Sequence, residues 1–291
     1  MTGVEVRTAV VTGASAGIGK ATAIALARLG WHVIGVGRDP ARSAAAEVEI
    51  RAAAAPGARV DFLRADFTRM SEVRRVAREI EALTPTIDAL IHNAGGVRDR
   101  LVVTDDGTEA TFAANHLAPF LLTRELMPLL KATAEVRPPG TVRVISVSST
   151  GHEYCRGMNW DDLNLFDHFS TGGAYCQAKL ANILFTRELA RRVAPDSIVA
   201  QCMHPGVVDS NFASHADEVM RRHIMEGQKG LPPEHPAETL VFLATSPEAG
   251  RDGGRYFHDG KEVRPAPQAL DDAAARRLWE ESEKLLGKLG F

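Results

Sequence analysis

Thr12-Gly13-Ala14-Ser15-Ala16-Gly17-Ile18-Gly19 joins a β-branched run, Val6–Val11, to a segment with apolar residues at helical spacing, Lys20–Leu29, that stops at Gly30. Strand, glycine-rich turn and helix in this order open a βαβ unit. Glycines let such a turn close tightly and let a pyrophosphate lie against the backbone. The free N–H groups at the helix N-terminus then meet the negative charge. The spacing is G-x-x-x-G-x-G, not G-x-G-x-x-G, and out of context it reads equally as an ordinary Gly-rich turn. Its place between a strand and a helix favours the phosphate reading, with Gly13, Ser15, Gly17, Ile18 and Gly19 as contacts.

Beyond that turn the pattern repeats. Strand-like runs fall at Val33–Val36, Val60–Leu63, Ile87–His92, Val142–Val147 and Ile198–Met203, with a short one at Arg255–Phe257. Helical patterns fill the gaps at Pro40–Ala55, from an expected N-cap at Ser71 to Leu83, at Thr108–Leu130 and Ala174–Arg192, and finally at Leu270–Leu286. The strands are near-continuous apolar runs, as expected when both faces are covered. The fold expected is α/β, a doubly wound parallel sheet with helices on both faces. No repeat or linker divides residues 1–291, so a single domain is expected. Connections at about 150–173 and 207–234 are longer than an α/β unit needs. Both leave the carboxyl ends of strands and are expected to wall and cover a substrate cleft.

Composition narrows the function classes. The 291 residues carry 34 Lys plus Arg against 37 Asp plus Glu, a net charge of −3, so no basic field exists to hold a nucleic acid. No apolar run approaches the roughly 18 residues of a membrane span, and with a glycine turn already at Gly13 no signal peptide is expected. The three cysteines, Cys155, Cys176 and Cys202, form neither a disulfide framework nor a CxxC pair. A cytoplasmic location is expected. The ten histidines contain no H-E-x-x-H grouping, so no metal is expected. A G-x-S-x-G nucleophile elbow is also missing.

Other strand ends extend the phosphate reading. About 20 residues past the glycines, where an acidic residue would hold both ribose hydroxyls, the chain reads Gly35-Val36-Gly37-Arg38-Asp39. A guanidinium at Arg38 can pair with a 2′-phosphate and stack on adenine. That favours NADP(H) and leaves NAD(H) open, since Asp39 is adjacent and Arg38 reads equally as a solvated loop residue. Asp66-Phe67 is placed to meet the adenine edge, and Asn93-Ala94-Gly95-Gly96 lets the backbone pass under the ribose. Each also reads as a cap or turn.

Tyr175 and Lys179 sit four apart at the start of a helical pattern, hence on one face. A free phenol titrates near ~10, and a neighbouring ammonium favours its ionised form. Ser148-Ser149 ends a strand where a hydroxyl can donate to a carbonyl oxygen, or simply cap a turn. Asn115 is a poor helix former inside a helical pattern, which suggests a local kink.

Together these residues resemble the short-chain dehydrogenase/reductase family over essentially the whole chain. The carriers are Thr12–Gly19, Asp66, Asn93-Ala94-Gly95, Asn115, Ser149, Tyr175-x-x-x-Lys179 and Pro205-Gly206. Ala174 through Leu189, Ala114-Asn115-His116-Leu117, His204-Pro205-Gly206-Val207-Val208 and Tyr256-Phe257 resemble its retinol dehydrogenase-like branch. The resemblance implies a Rossmann-type oxidoreductase moving hydride between nicotinamide and a carbonyl/alcohol pair. Tyr175 would be the acid/base, and Lys179 would bind the nicotinamide ribose and depress the phenol. Ser149, second of the serine pair, would hold the carbonyl, and Asn115 would anchor a relay water. Pro205, Gly206 and Val208 would contact the cofactor.

Departures are specific. His92 replaces an Asn and reads as a packing residue. No basic residue precedes Gly17, so the NADP preference rests on Arg38. Ser210 is expected to stand in for a missing Thr, and no membrane anchor of the kind many retinol dehydrogenases carry is expected, so retinoid metabolism is not expected to carry over. Tyr154, Met158, Trp160, Phe166 and Phe169 make the first long loop apolar, which suggests a lipophilic aldehyde or ketone or else a loop fastened to the body. The family's dimer helices map to Thr108–Leu130 and Ala174–Arg192, compatible with a homodimer or homotetramer, although their apolar faces equally serve a core. A cofactor-binding redox sensor is the non-catalytic alternative, and it has no need of a Ser–Tyr–Lys set.

Overall fold

The computed structural model describes residues 6–209, 218 and 230–291. Its strands are β1 (Thr8–Thr12), β2 (His32–Gly37), β3 (Val60–Arg64), β4 (Ala89–His92), β5 (Val142–Val147), β6 (Ile198–Met203), β7 (Tyr256–His258) and β8 (Lys261–Glu262). They form one eight-stranded sheet ordered β3-β2-β1-β4-β5-β6-β7-β8. Pairing is parallel from β3 through β7, and β8 folds back antiparallel on β7. That final hairpin is absent from the sequence reading, because a two-residue strand leaves no periodicity to detect.

Helices α1 (Gly17–Arg28) and α2 (Pro40–Ala53) follow β1 and β2, and α3 (Met70–Leu83) follows β3. Past β4 the chain winds through α4 (Ala110–Phe112), a π turn at Ala113–Leu117 and α5 (Ala118–Val136). Helix α6 (Thr171–Val193) leads into β6, α7 (Glu234–Thr245) lies between β6 and β7, and α8 (Asp272–Lys288) closes the chain. The sequence reading does not assign α7, although Pro236 stands in its first turn and Ala237, Leu240 and Ala244 recur at helical spacing.

Both faces of the sheet are covered. Val10, Leu90 and Val144 pack toward α3, α5 and α6, whereas Ala9, Ile91 and Ile145 pack toward α1 and α7. Because β1 pairs with β2 on one side and β4 on the other, the chain reverses direction of winding at β1. The crevice this opens at the strands' carboxyl ends is where such sheets take ligands.

One expected cap is corrected. Ser71 lies inside α3, whose N-cap position is Arg69, and the free Met70 N–H is satisfied by Asp106 Oδ2 at 2.7 Å. A carboxylate from a distant loop does the work expected of a local hydroxyl, which spacing along the chain cannot reveal. At the other end of α1, Gly30 adopts φ +82° and ends the helix as expected.

Candidate active site

The strand ends enclose a cleft of about 1240 Å³. Among its lining residues are Gly13, Ser15, Gly17, Ile18, Arg38, Asp66, Phe67, Asn93, Ala94, Gly95, Asn115, Ser149, Tyr175, Lys179, Pro205, Gly206 and Val208. Gly19 is buried one turn into α1 behind them. The structure thus brings the sequence-derived set to one crevice.

At the glycine turn, Gly13 takes φ +69°, a region L side chains avoid, and a Cβ there would lie 2.9 Å from the Ala94 Cα. Helix α1 begins at Ala16 with no side-chain cap and no acidic residue in its first turn. Its N-terminal N–H groups face the cleft unneutralised, which suits a phosphate. Thr12 locks the turn to β4. Its hydroxyl donates to Ile91 O at 3.2 Å and accepts from the Asn93 and Ala94 N–H groups at 3.0 Å each. The Asn93 side chain donates to Thr12 O at 2.9 Å, so its amide is held by the protein while the backbone beyond it lines the cleft.

Near the β2 end, Asp39 is the N-cap of α2 and accepts from the Arg42 N–H at 2.8 Å. That bond holds its carboxyl below the ordinary range. Arg38 is exposed beside it, and a second guanidinium, Arg98, enters the same cleft half-buried. Burial and the charge of Arg38 both lower the proton affinity of Arg98, and it makes no ion pair among the described residues. Its side chain reaches only the neighbouring Val97 O, at 3.1 Å. The sequence reading missed Arg98, which follows a Gly-Gly turn whose direction only the fold defines. Asp66 accepts from Thr68 N–H and Oγ1 at 3.0 and 2.8 Å, so its side chain braces its own loop.

The other end of the cleft holds the hydroxyls. Ser148 is buried and donates to Lys179 O at 2.7 Å, which ties β5 to α6. Ser149 faces the cleft, and its Oγ accepts from the Gly151 N–H at 3.1 Å, so its own O–H remains to donate. The Tyr175 ring and the Ser149 hydroxyl both border Gly151, where a Cβ would lie 3.2 Å from Tyr175 Cε1 and 3.5 Å from Ser149 Oγ. Burial pushes the phenol up to about 12, against a smaller lowering effect of the Ser149 hydroxyl. Lys179 Nζ lies 5.5 Å from the Tyr175 ring centre and donates to Val147 O at 3.1 Å. Burial lowers it to about 8. The depression of the phenol by Lys179 is therefore not delivered by the protein alone, because burial dominates the Tyr175 hydroxyl.

Asn115 sits in the π turn. Its amide donates to Gly96 O at 2.8 Å and Thr111 O at 2.7 Å, and its Oδ1 accepts from the Gly96 N–H at 3.3 Å. A Cβ on Gly95 would lie 2.5 Å from that Oδ1 and 3.5 Å from Lys179 Nζ, so only glycine leaves the gap between them open. π turns recur at functional sites, where they redirect one side chain.

Of the loop residues expected to bind substrate, Met158 and Trp160 pack onto the core, and Arg277 stacks over the Trp160 ring at 4.5 Å. Tyr154, 70% exposed, is the loop aromatic that lines the cleft. From the second long connection, Val207–Asp209 and Pro233 line it, and Leu231 pairs with Val208. Ser210 lies outside the described residues. Burial pushes the Cys176 thiol up to about 11, and His92 is a buried neutral ring bonded to Thr123 Oγ1 at 2.7 Å.

Comparison with known proteins agrees with this geometry. The short chain dehydrogenase family profile matches residues 7–160. The chain belongs to the short-chain dehydrogenase/reductase family. It is 38% identical to Retinol dehydrogenase 14 of Homo sapiens over 97% of this chain and 87% of that protein. With Polyprenol dehydrogenase of Mus musculus it shares 38% identity over 98% and 85%. A crystal structure of an uncharacterized protein from Mycobacterium Paratuberculosis superposes with a TM-score of 0.69 at 33% identity, covering 96% of this chain and 92% of that one. As a short-chain dehydrogenase/reductase it is an oxidoreductase that works with a nicotinamide dinucleotide, and its relatives include the retinol dehydrogenases. No helix among the described residues is long and apolar enough to cross a membrane.

Proposed function

We propose that this short-chain dehydrogenase/reductase reduces a lipophilic aldehyde or ketone with NADPH, and runs the reverse oxidation when cofactor ratios demand it. The observation that carries the reading is the meeting of Ser149, Tyr175 and Lys179 at one end of a cleft whose other end is an uncapped helix N-terminus. The bound cofactor supplies the hydride. The chain's residues do the rest. The α1 N-terminus and Gly13–Gly19 turn hold the pyrophosphate, and Arg38 takes the 2′-phosphate. Ser149 donates its free O–H to the substrate oxygen as charge develops there.

Tyr175 gives that oxygen its proton. A phenol raised to about 12 is protonated throughout the neutral range, which fits a donor. Lys179 holds the ribose side, and Asn115 anchors a water beside it to return the proton from solvent. Polyprenol and retinol, the substrates in the relatives' names, are lipophilic alcohols, which supports that substrate class. Tyr154 offers an exposed ring at the cleft.

The test is consumption of NADPH and NADH against a panel of aldehydes and ketones, with Tyr175→Phe alongside. Turnover should vanish in the variant while NADPH still binds. Unchanged turnover would refute the role of Tyr175, and cofactor binding with no turnover on any substrate would favour the sensor reading.

A further inference from the structure

Beneath the Ser149 turn lies a fully buried ring that the chemistry above does not use. His152 is 0% exposed. Its Nδ1 lies 2.7 Å from Ser149 O, and its Nε2 lies 3.0 Å from the Ala266 amide nitrogen. A carbonyl oxygen can only accept and a backbone amide can only donate. The ring is therefore neutral, with its hydrogen on Nδ1. The His152 backbone N–H reaches the same carbonyl at 3.2 Å, so one residue holds Ser149 O with both its donors.

The ring is braced in turn from far along the chain. Ala266 stands 114 positions away, and Gln268, two residues further on, donates to His152 O at 3.2 Å and Cys155 O at 2.6 Å. The Tyr256 ring meets the His152 ring edge-on at 5.3 Å between centres.

We propose that His152 is a positioning residue: it fixes the Ser149–Thr150 peptide plane, and with it the direction in which the Ser149 hydroxyl meets the substrate oxygen, by linking that peptide to the Ala266–Gln268 segment. The inference rests on the reading of Ser149 as the residue that holds the substrate oxygen. Without the ring, the Ser149 side chain would keep the Gly151 N–H but lose the tether on its carbonyl, and misplacement by a fraction of an ångström weakens a bond that matters at the transition state.

The experiment uses the full chain and the best substrate from the aldehyde panel, beginning with decanal. His152→Leu removes both ring bonds at similar volume, and His152→Asn keeps a donor where Nδ1 stood. His152→Leu should lower kcat about tenfold or more, with NADPH Kd and aldehyde KM little changed, and His152→Asn should recover most of it. In a Ser149→Ala background His152→Leu should cost nothing further, since its effect passes through Ser149. Wild-type kcat in His152→Leu, equal losses in the Leu and Asn variants, or a loss that adds to that of Ser149→Ala would overturn the proposal. If His152→Leu does not fold, His152→Ala against His152→Asn makes the same comparison. Failure of the underlying reading has its own signature, turnover that survives Ser149→Ala.

Discussion

Arg38 stands exposed at the end of β2 next to a carboxylate in the linear sequence. In the fold Asp39 turns onto the α2 backbone and accepts from Arg42 N–H at 2.8 Å, and the charge of Arg38 is a lesser influence on it. Arg98 then enters the same cleft from the loop after β4, close enough for the charge of Arg38 to lower its proton affinity. Asp66, Glu109 and Asp99 offset part of that repulsion, and the two guanidiniums gain further around a dianion. Arg38→Asp should shift preference from NADPH toward NADH. Arg98→Met should weaken NADPH binding about tenfold, the equivalent of roughly 1.5 kcal/mol for one charge-assisted contact, and leave NADH unchanged. Fluorescence titration of both cofactors checks this, and equal losses for NADPH and NADH would show that Arg98 does not meet the 2′-phosphate.

Elements differ in how far they could be read. Strands β5 and β6 match their apolar runs residue for residue, because a run buried on both faces leaves an unmistakable signature. The Ser–Tyr–Lys set was legible as well, since family spacing places it. The N-cap of α3, the direction of Arg98 and the brace on Ser149 were not, because each depends on a partner tens of positions away. The π turn was half legible. Asn115 signalled a break in the helix, but nothing nearby signalled that His116, the next residue, would point into the core.

His116 Nε2 lies 2.8 Å from Ser282 Oγ, which itself donates to Leu278 O, so Nε2 is the donor, and the buried Nδ1 has no partner among the described residues to hold a second proton. Burial lowers the ring to about 3. Above its ordinary value of 6.5 the folded and unfolded chains are both neutral at this position, and it contributes no pH dependence. Below 6.5 only the unfolded chain takes up the proton, so stability is lost progressively as pH falls toward about 3. At about pH 5.5 this one ring costs about 1.4 kcal/mol relative to neutral pH. His116→Asn should reduce the stability lost between about pH 7.5 and 5.5 by that amount in urea unfolding, whatever its effect on absolute stability. An unchanged difference would show that the ring takes up a proton in the folded chain.

At the scale of the whole molecule, α8 decides how the chain presents itself to another copy. Trp279 packs on Phe120 of α5 at 4.7 Å and on Phe185 of α6 at 6.0 Å between ring centres, and Arg192 stacks over the same indole at 4.4 Å. Asp272 pairs with Arg187 and Arg191 at 2.7 Å each, and Glu283 pairs with Arg124 at 2.9 Å. From Gln177 through Thr186 every residue of α6 is buried within the single chain. A stretch of that length turns through every direction around its axis, so α6 has no free face over its central turns. The family resemblance implied a possible dimer or tetramer through Thr108–Leu130 and Ala174–Arg192, with core use of their apolar faces the alternative, and in this chain α6 is already enclosed by its own α8. A partner seated there would have to displace Trp279 and its ion pairs. Size-exclusion chromatography with light scattering, read against the 31.4 kDa of one chain, should therefore show no dimer seated on α6. A species of twice that mass whose hydrogen exchange is protected along α6 only in the dimer would overturn this packing argument. A dimer with unaltered exchange in α6 and α8 would place the interface elsewhere and leave the enclosure of α6 intact.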